Sequence, residues 1–247
     1  MTVGQVLAFL QSRAPFETAE GYDNVGLLVG SPDRAADGIL VTLDITPAAV
    51  REAARIGAGL IVSHHPVIFS PLRTLDADSV PALLIQGGIA AICAHTNLDR
   101  AAGGVNDCLA AALGLADVRT ASDGLTRFGR LPKALSPRDF AAWVGEKLGT
   151  AVRMRTGTGM ISNVAVCSGA GGDFLLPILE EGGAVAAVTG ELKHHEWLAL
   201  PAGITMVEAG HYHTEICMVN GVAAWLREGF PEAEITAFED TPPYETV

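Results

Sequence analysis

The chain has 247 residues, 49% apolar and 18% charged, with 28 glycines and 13 prolines, a balance that supplies a packed core and excludes a disordered polypeptide. Sixteen basic against 28 acidic residues leave a formal charge of −12 and an isoelectric point near 4.9, which repels polyanions and excludes a nonspecific grip on duplex nucleic acid. Mean hydropathy is +0.32, yet the uninterrupted apolar runs are strand-sized and fall far short of the roughly 18 residues that a membrane span needs.

The opening stretch, MTVGQVLAFLQSRAPFETAE, lacks a basic n-region and a small-residue cleavage site and reads as an amphipathic helix ended by Pro15. No export is expected, and the chain is assigned to the cytoplasm. From residue 37 strands and helices alternate: DGILVTLD as strand, PAAVREAARIGA as helix with Pro47 in its first turn, LIVSHH as strand, VPALLIQGG as helix, IAAICAHTNLD as strand and GVNDCLAAALGL as helix. Such alternation predicts an α/β fold with a mainly parallel sheet, whose functional loops lie at the carboxyl ends of the strands. Between about Asp117 and Thr158 the rhythm weakens into turn signals, one short helix candidate after Ser136 and a possible strand at Ala151 to Arg155, and here the join between two lobes is expected. Alternation resumes with SNVAVCSG, AVAAVTGE, ITMVEAGH and AEITAFED as strands, and DFLLPILEEGG, HHEWLAL and TEICMVNGVAAWLREG as helices. FAAWVGEKL is one of several exposed-helix candidates with bulky apolar residues, which favours an oligomer. Cys93, Cys108, Cys167 and Cys217 form no CxxC pair and suit a reduced interior.

The halves echo each other. LIVSHHP returns loosely as VAAVTGELKHHEW, and ICAHTNLD as MVEAGHYHTE. Two echoes in the same order point to a duplicated unit with pseudo-twofold symmetry.

All seven histidines fall into four clusters, His64 with His65, His95, His194 with His195, and His211 with His213. Scattered structural histidines would not concentrate at strand ends in this way. In an extended SHHP the two imidazoles project in different directions, so they suit two ions better than one. HTNLD adds the carboxylate of Asp99, and HYHTE places His211 four residues before Glu215, on one face of a helix. Three nitrogens and two carboxylates suit Zn, Fe, Mn, Co or Ni in a pair, with one carboxylate expected to bridge and a trapped water acidified toward a pKa of about 7.

YDNVGLLVG at Tyr22 to Gly30, Leu43 with Asp44, SHHPVIF, AHTNLD, GGVND and EAGHYHTE at Glu208 to Glu215 together resemble the Nif-three-like dinuclear-metal-centre family, whose members are often named GTP cyclohydrolase I type 2. The resemblance spans nearly the whole chain in order. It implies metal ligands at His64, His65, Asp99, His211 and Glu215, the same five that spacing selects. It further implies two interlinked α/β lobes with mainly parallel or mixed sheets flanked by helices, a metal site in the cleft between them, two divalent ions per chain and a toroidal homohexamer of the family's short form. On this basis residues 1–125 joined by 205–247 form one lobe and 126–204 the other. TGELKHH carries Glu191 where relatives commonly show Asp.

Other residues stay open between two readings. Asp23 and Asn24 line the cleft or form a turn. Asp44 supports a metal-bound His or caps the helix at Pro47. His95, four residues before Asp99, is the candidate proton donor or acceptor, or a structural residue. His194, His195 and His213 are within reach of the cleft from the second lobe. SGAGGDF at Ser168 to Phe174 is a phosphate loop or a tight strand-to-helix turn. Trp143, Trp197 and Trp225 belong to the core or an interface before a base-stacking platform. The leading expectation is a dinuclear metal-dependent hydrolase acting through metal-bound hydroxide on a small, nucleotide-like substrate. The alternative is a non-catalytic metal-binding protein with a regulatory or metal-handling role through protein partners.

Overall fold

The computed structural model describes residues 1–245. The chain divides into two compact units, the first made of Met1–Gly104 with Met218–Thr241, the second of Val105–Cys217 with the segment from Pro242 onward. In chain order the first unit contributes α1 (Val3–Arg13), β1 (Gly26–Val29), β2 (Gly38–Thr42), α2 (Pro47–Ile56), β3 (Leu60–Ser63), α3 (Val80–Gly87), β4 (Ala90–Cys93) and α4 (Thr96–Arg100). The second contributes α5 (Val105–Ala112), β5 (Ala116–Thr120), β6 (Arg127–Leu135), α6 (Pro137–Leu148), β7 (Arg153–Arg155), β8 (Ile161–Cys167), α7 (Gly172–Leu175), β9 (Ala186–Thr189), α8 (His194–Ala199), β10 (Thr205–Glu208) and α9 (His211–Glu215). Then α10 (Cys217–Gly229) and β11 (Glu234–Ala237) complete the first unit.

The first sheet has the order β1-β4-β3-β2-β11. Its inner pairs are parallel, and β1 runs antiparallel at the edge. Every residue of β2, β3 and β4 is buried, because helices cover both faces of a parallel sheet, and this is why these strands read as continuous apolar runs. The core joins Leu40, Ile61 and Ala91 of the strands to Ala49 and Ala53 of α2 and Leu84 of α3.

The second sheet has the order β5-β6-β8-β9-β10-β7 and is mixed. Strand periodicity assigns its two cores. Val164, Val166, Val188 and Val207 face α5 and α6, whereas Ala165, Cys167, Ala187 and Met206 face the layer of Leu175, Leu179 and Leu192. The duplication suggested by the echoes is visible in the connectivity. The order β1-β4-β3-β2 repeats as β7-β10-β9-β8, an antiparallel edge strand followed by three parallel ones.

Several expectations are corrected. The boundaries at 125/126 and 204/205 give way to breaks at 104/105 and 217/218. The β5-β6 hairpin pairs with β8, and β10 pairs with both β9 and β7, so both segments belong to the second sheet. The hairpin is hard to read because β5 is wholly exposed and β6, interrupted by Pro132 and a register shift, carries charge throughout. IAAICAHTNLD is a strand only to Cys93. DFLLPILEEGG yields three residues of the short helix Gly172–Leu175 and one 3₁₀ turn at Leu176–Ile178, where Pro177 removes a donor. FAAWVGEKL is not an exposed apolar helix, since Phe140 and Val144 are fully buried and Trp143 stacks on Phe140 at 6.2 Å. Among the described residues no helix is long and apolar enough to cross a membrane.

Candidate metal centre

In the first unit the loops at the carboxyl ends of β3 and β4 bring three imidazoles together. The chain bends at His64 and His65, although their amides still donate to the carbonyls of Thr42 and Leu43 beyond the parallel pairing of β3 with β2, and Ser63 Oγ donates to the His65 carbonyl at 2.8 Å. The rings of His64 and His65 converge, with centroids 5.0 Å apart, and His95 joins them at 5.0 Å from His64 and 5.5 Å from His65. One ring nitrogen from each of the three lies within 4.8 Å of the others.

Each ring is fixed through Nδ1. His64 Nδ1–H donates to the carbonyl of Ala94 at 3.0 Å, His65 Nδ1–H to Asp44 Oδ1 at 2.8 Å, and His95 Nδ1–H to Asp23 Oδ1 at 2.9 Å. Carbonyl and carboxylate oxygens only accept, so the proton sits on Nδ1, and Nε2 carries the lone pair with which an imidazole can hold an ion. His64 Nε2 faces Asp99 Oδ1 at 3.7 Å. Metal bonds of about 2.0–2.2 Å put neighbouring donors roughly 3–3.5 Å apart, so the pair has nearly the separation of two ligands on one ion.

Asp23 serves two partners. Its Oδ2 accepts from the Thr96 amide at 3.1 Å and from Thr96 Oγ at 2.5 Å, which caps the first turn of α4 from 73 residues away. Burial works to raise its pKa, but the hydrogen bonds from His95 and Thr96 and the charge of His95 outweigh it and hold the carboxyl well below the usual range. Asp44, by contrast, is not the cap of α2. That role falls to Thr46, whose Oγ accepts from the Ala49 amide at 3.1 Å, leaving Asp44 on His65. Replacing Asp44 with Ala should leave the fold intact and weaken ion affinity by roughly 10–100-fold, read by titration against a chelator, because His65 loses its anchor.

In the second unit α9 presents His211 and Glu215 on one face, with Nε2 and Oε2 3.0 Å apart. Glu215 is almost fully buried. Glu191 Oε1 lies 3.3 Å from His211 Nδ1, placing a carboxylate behind this histidine as well. The glycine loop after β8 closes against the pair. Gly169 adopts φ +57°, and a Cβ there would stand 2.1 Å from Glu215 Oε1 and 3.2 Å from His211 Nε2. Its amide donates to Thr214 Oγ and its carbonyl accepts from the Glu191 amide, tying the loop to both neighbours of the pair.

Residues 1–243 match the sequence profile described as Duf34/NIF3 (NGG1p interacting factor 3). The chain belongs to this family. A protein of Lactococcus lactis named GTP cyclohydrolase 1 type 2 homolog is 33% identical over 238 residues, covering 92% of each chain, and one of the same name from Streptomyces coelicolor is 35% identical over 232 residues, covering 86% of this chain and 81% of its own. Among solved structures, a hypothetical protein of Staphylococcus aureus superposes with a TM-score of 0.91 at 27% identity, covering 100% of this chain and 99% of its own. A Bacillus cereus protein related to NIF3 shares the fold with a TM-score of 0.91 at 22% identity over the same shares.

Within this family fold, the remaining sequence-selected residues take other places. His194 and His195 open α8 at the surface, and His213 packs edge-on against Tyr212 and Tyr244. SGAGGDF forms a tight turn into a four-residue helix, with Gly169 packed closely on Glu215, Gly171 on Cys167 and Gly172 on Glu196 and Leu192. Asn24 Nδ2 donates to the carbonyl of Ile68. Trp143 and Trp197 pack against the two cores of the second unit, and Trp225 lies under Arg13. The spacing argument did not find Glu191 as the partner of His211, nor Asp23 as the partner of His95. For Glu191 a signal existed, since it follows β9 at the carboxyl end of a parallel strand, as Asp44 follows β2.

Proposed function

We propose that the chain is a cytoplasmic dinuclear metal-dependent hydrolase of a small, nucleotide-like substrate, with His64, His65, Asp99, His211 and Glu215 as the ligands of two divalent ions. The observation that supports this reading is the convergence of His64, His65 and His95, each with Nδ1–H donated to an oxygen acceptor, which assigns Nε2 of His64 and His65 to coordination and Nε2 of His95 to proton transfer. The donor set of imidazoles and carboxylates fits Zn, Fe, Mn, Co or Ni. Such ions supply Lewis acidity and lower the pKa of a water. The chain's own residues position and protonate. Asp44 and Asp23 fix the rings of His65 and His95, Glu191 backs His211, and His95 is the residue that takes and returns a proton at Nε2. The relatives' names supply the nucleotide part of the reading, and the family resemblance supplies a homohexameric ring, which a monomer in light scattering would overturn.

The test is elemental analysis of tag-free protein after mild dialysis, for wild type beside His64→Ala and Glu215→Ala. Close to two ions per wild-type chain, with both variants depleted, is expected. Nucleotide hydrolysis is then measured with the native metal. A wild-type chain that holds no ion even when offered Zn, Mn, Fe, Co and Ni would overturn the reading.

A further inference from the structure

The exposed apolar side chains of the first unit are not scattered. Tyr22, Phe69, Leu72, Leu75 and Ile85, each 50–62% exposed, are the only large ones that the described residues of this unit leave in solvent. Three of them lie in the connection from β3 to α3, residues 64–79, which is far longer than the roughly 4–6 residues most connections need. Two hydrogen bonds gather the other two to its ends. Asn24 Nδ2 donates to the carbonyl of Ile68 at 2.5 Å, which brings the turn carrying Tyr22 to the start of the connection. Gln86 Nε2 donates to the carbonyl of Ala77 at 2.9 Å, which brings α3, with Ile85, to its end.

The connection is not satisfied from within the chain. Residues 69–78 are exposed without a break, and residues 69–75 make no hydrogen bond or ion pair with any described residue. Single exposed apolar side chains are ordinary, but a group gathered around one loop marks an interaction surface. Tyr, Phe and Arg are also what interface cores concentrate. The charges select the occupant. Arg73 lacks a carboxylate partner among the described residues, and the Asp78 side chain lacks a donor. An acidic foreign surface would face Asp76 and Asp78, and a basic one would face Arg73. The same segment turned end for end meets neither conflict, and a twofold contact uses one patch for both partners.

We propose that the β3–α3 connection is a twofold contact between two copies of this chain, in which Phe69 and Leu72 bury against the other copy, Arg73 pairs with the partner's Asp78, and Leu75 lies beside the axis. This takes the assembly surface away from α6, whose Phe140 and Val144 are buried. The inference rests on the homo-oligomer of the proposed reading and is independent of the metal centre.

The test is light scattering of the full chain at one concentration, for wild type beside Leu72→Glu and Arg73→Asp, with circular dichroism confirming the fold of each. The wild type is an oligomer, and both variants fall to half its mass or less. Arg73→Asp combined with Asp78→Arg restores the ion pair in the opposite sense and regains the wild-type mass. Leu75→Cys forms an interchain disulfide under mild oxidation that wild type does not form, and it carries the test if Leu72→Glu fails to fold. A folded Leu72→Glu at the wild-type mass, or a Leu75→Cys that does not cross-link, overturns this contact; a six-chain wild type then leaves the ring standing on other faces. A two-chain wild type that Leu72→Glu splits supports the contact and overturns the ring instead. A monomeric wild type overturns both and leaves the patch to a foreign protein.

Discussion

Gly169→Ala is expected to deplete the metal proposed for His211 and Glu215 while the protein still folds. Two costs arise at this position. The backbone sits at φ +57°, where a Cβ costs roughly 1–2 kcal/mol. The new methyl group would also stand 2.1 Å from Glu215 Oε1, well inside contact distance, and overpacking of this kind costs about 1–3 kcal/mol. Relief comes most easily by displacing the Glu215 carboxylate, since Thr214 Oγ and the Glu191 amide hold the loop itself. The expected stability loss is about 2–5 kcal/mol, a Tm drop on the order of 5–15 °C for a chain of this size. On the proposed stoichiometry of two ions, metal content falls toward one per chain. Gly149→Ala supplies the control, because Gly149 has φ +64° at the end of α6 and an added Cβ there would meet nothing within 4 Å. It should lose the smaller, backbone share of stability and no metal. A Gly169→Ala protein with the wild-type ion content would show that the loop does not position the pair.

How far sequence reaches into this molecule depends on how local each determinant is. The strands β2, β3 and β4 are legible because complete burial demands apolar residues at every position, and Pro47 and Gly57 bracket α2 with ordinary capping chemistry. The repeated strand order is legible through the paired echoes, which fall on β3 with β9 and on β4 with β10. What escapes is specified from a distance. His95 looks like the continuation of β4, but Asp23 turns the chain into α4 by accepting the Thr96 amide, and no window around residue 95 contains that acceptor. The β5-β6 hairpin escapes because an exposed edge needs no apolar signature.

The site divides along the same line. The i, i+4 relation of His211 and Glu215 is a helical contact that spacing alone predicts, and it is realised at 3.0 Å. The extended backbone supposed for His64 and His65 gives way to a bend after β3, and their ring centroids lie 5.0 Å apart. The oxygens behind His65, His95 and His211 come from residues 21, 72 and 20 positions away. These partners turn imidazoles near one another into rings with defined tautomers, so the chemistry of the site is less local than its composition.

Asp23→Ala should be among the most destabilising single changes in the first unit. The Asp23 side chain is fully buried and accepts from His95 Nδ1, the Thr96 amide and Thr96 Oγ. Removing it strands these donors and costs about 3–5 kcal/mol, as breaking a buried charged network does. The pH dependence identifies the cause. The folded pKa of Asp23 lies well below the unfolded value of about 3.9, so the unfolded state binds the proton more readily. The carboxylate's contribution is then complete above the unfolded value and is lost as pH falls toward the folded one. Urea unfolding of wild type and Asp23→Ala, both in chelator, should show a stability gap that is constant just above pH 5 and narrows steadily from pH 5 to pH 2.5. Asp23→Asn, which keeps the shape but cannot ionise, should lack the same pH-dependent contribution in that window. A gap between wild type and the Ala variant that stays unchanged down to pH 2.5 would mean that Asp23 acts through packing alone, and the orientation of His95 would need another source.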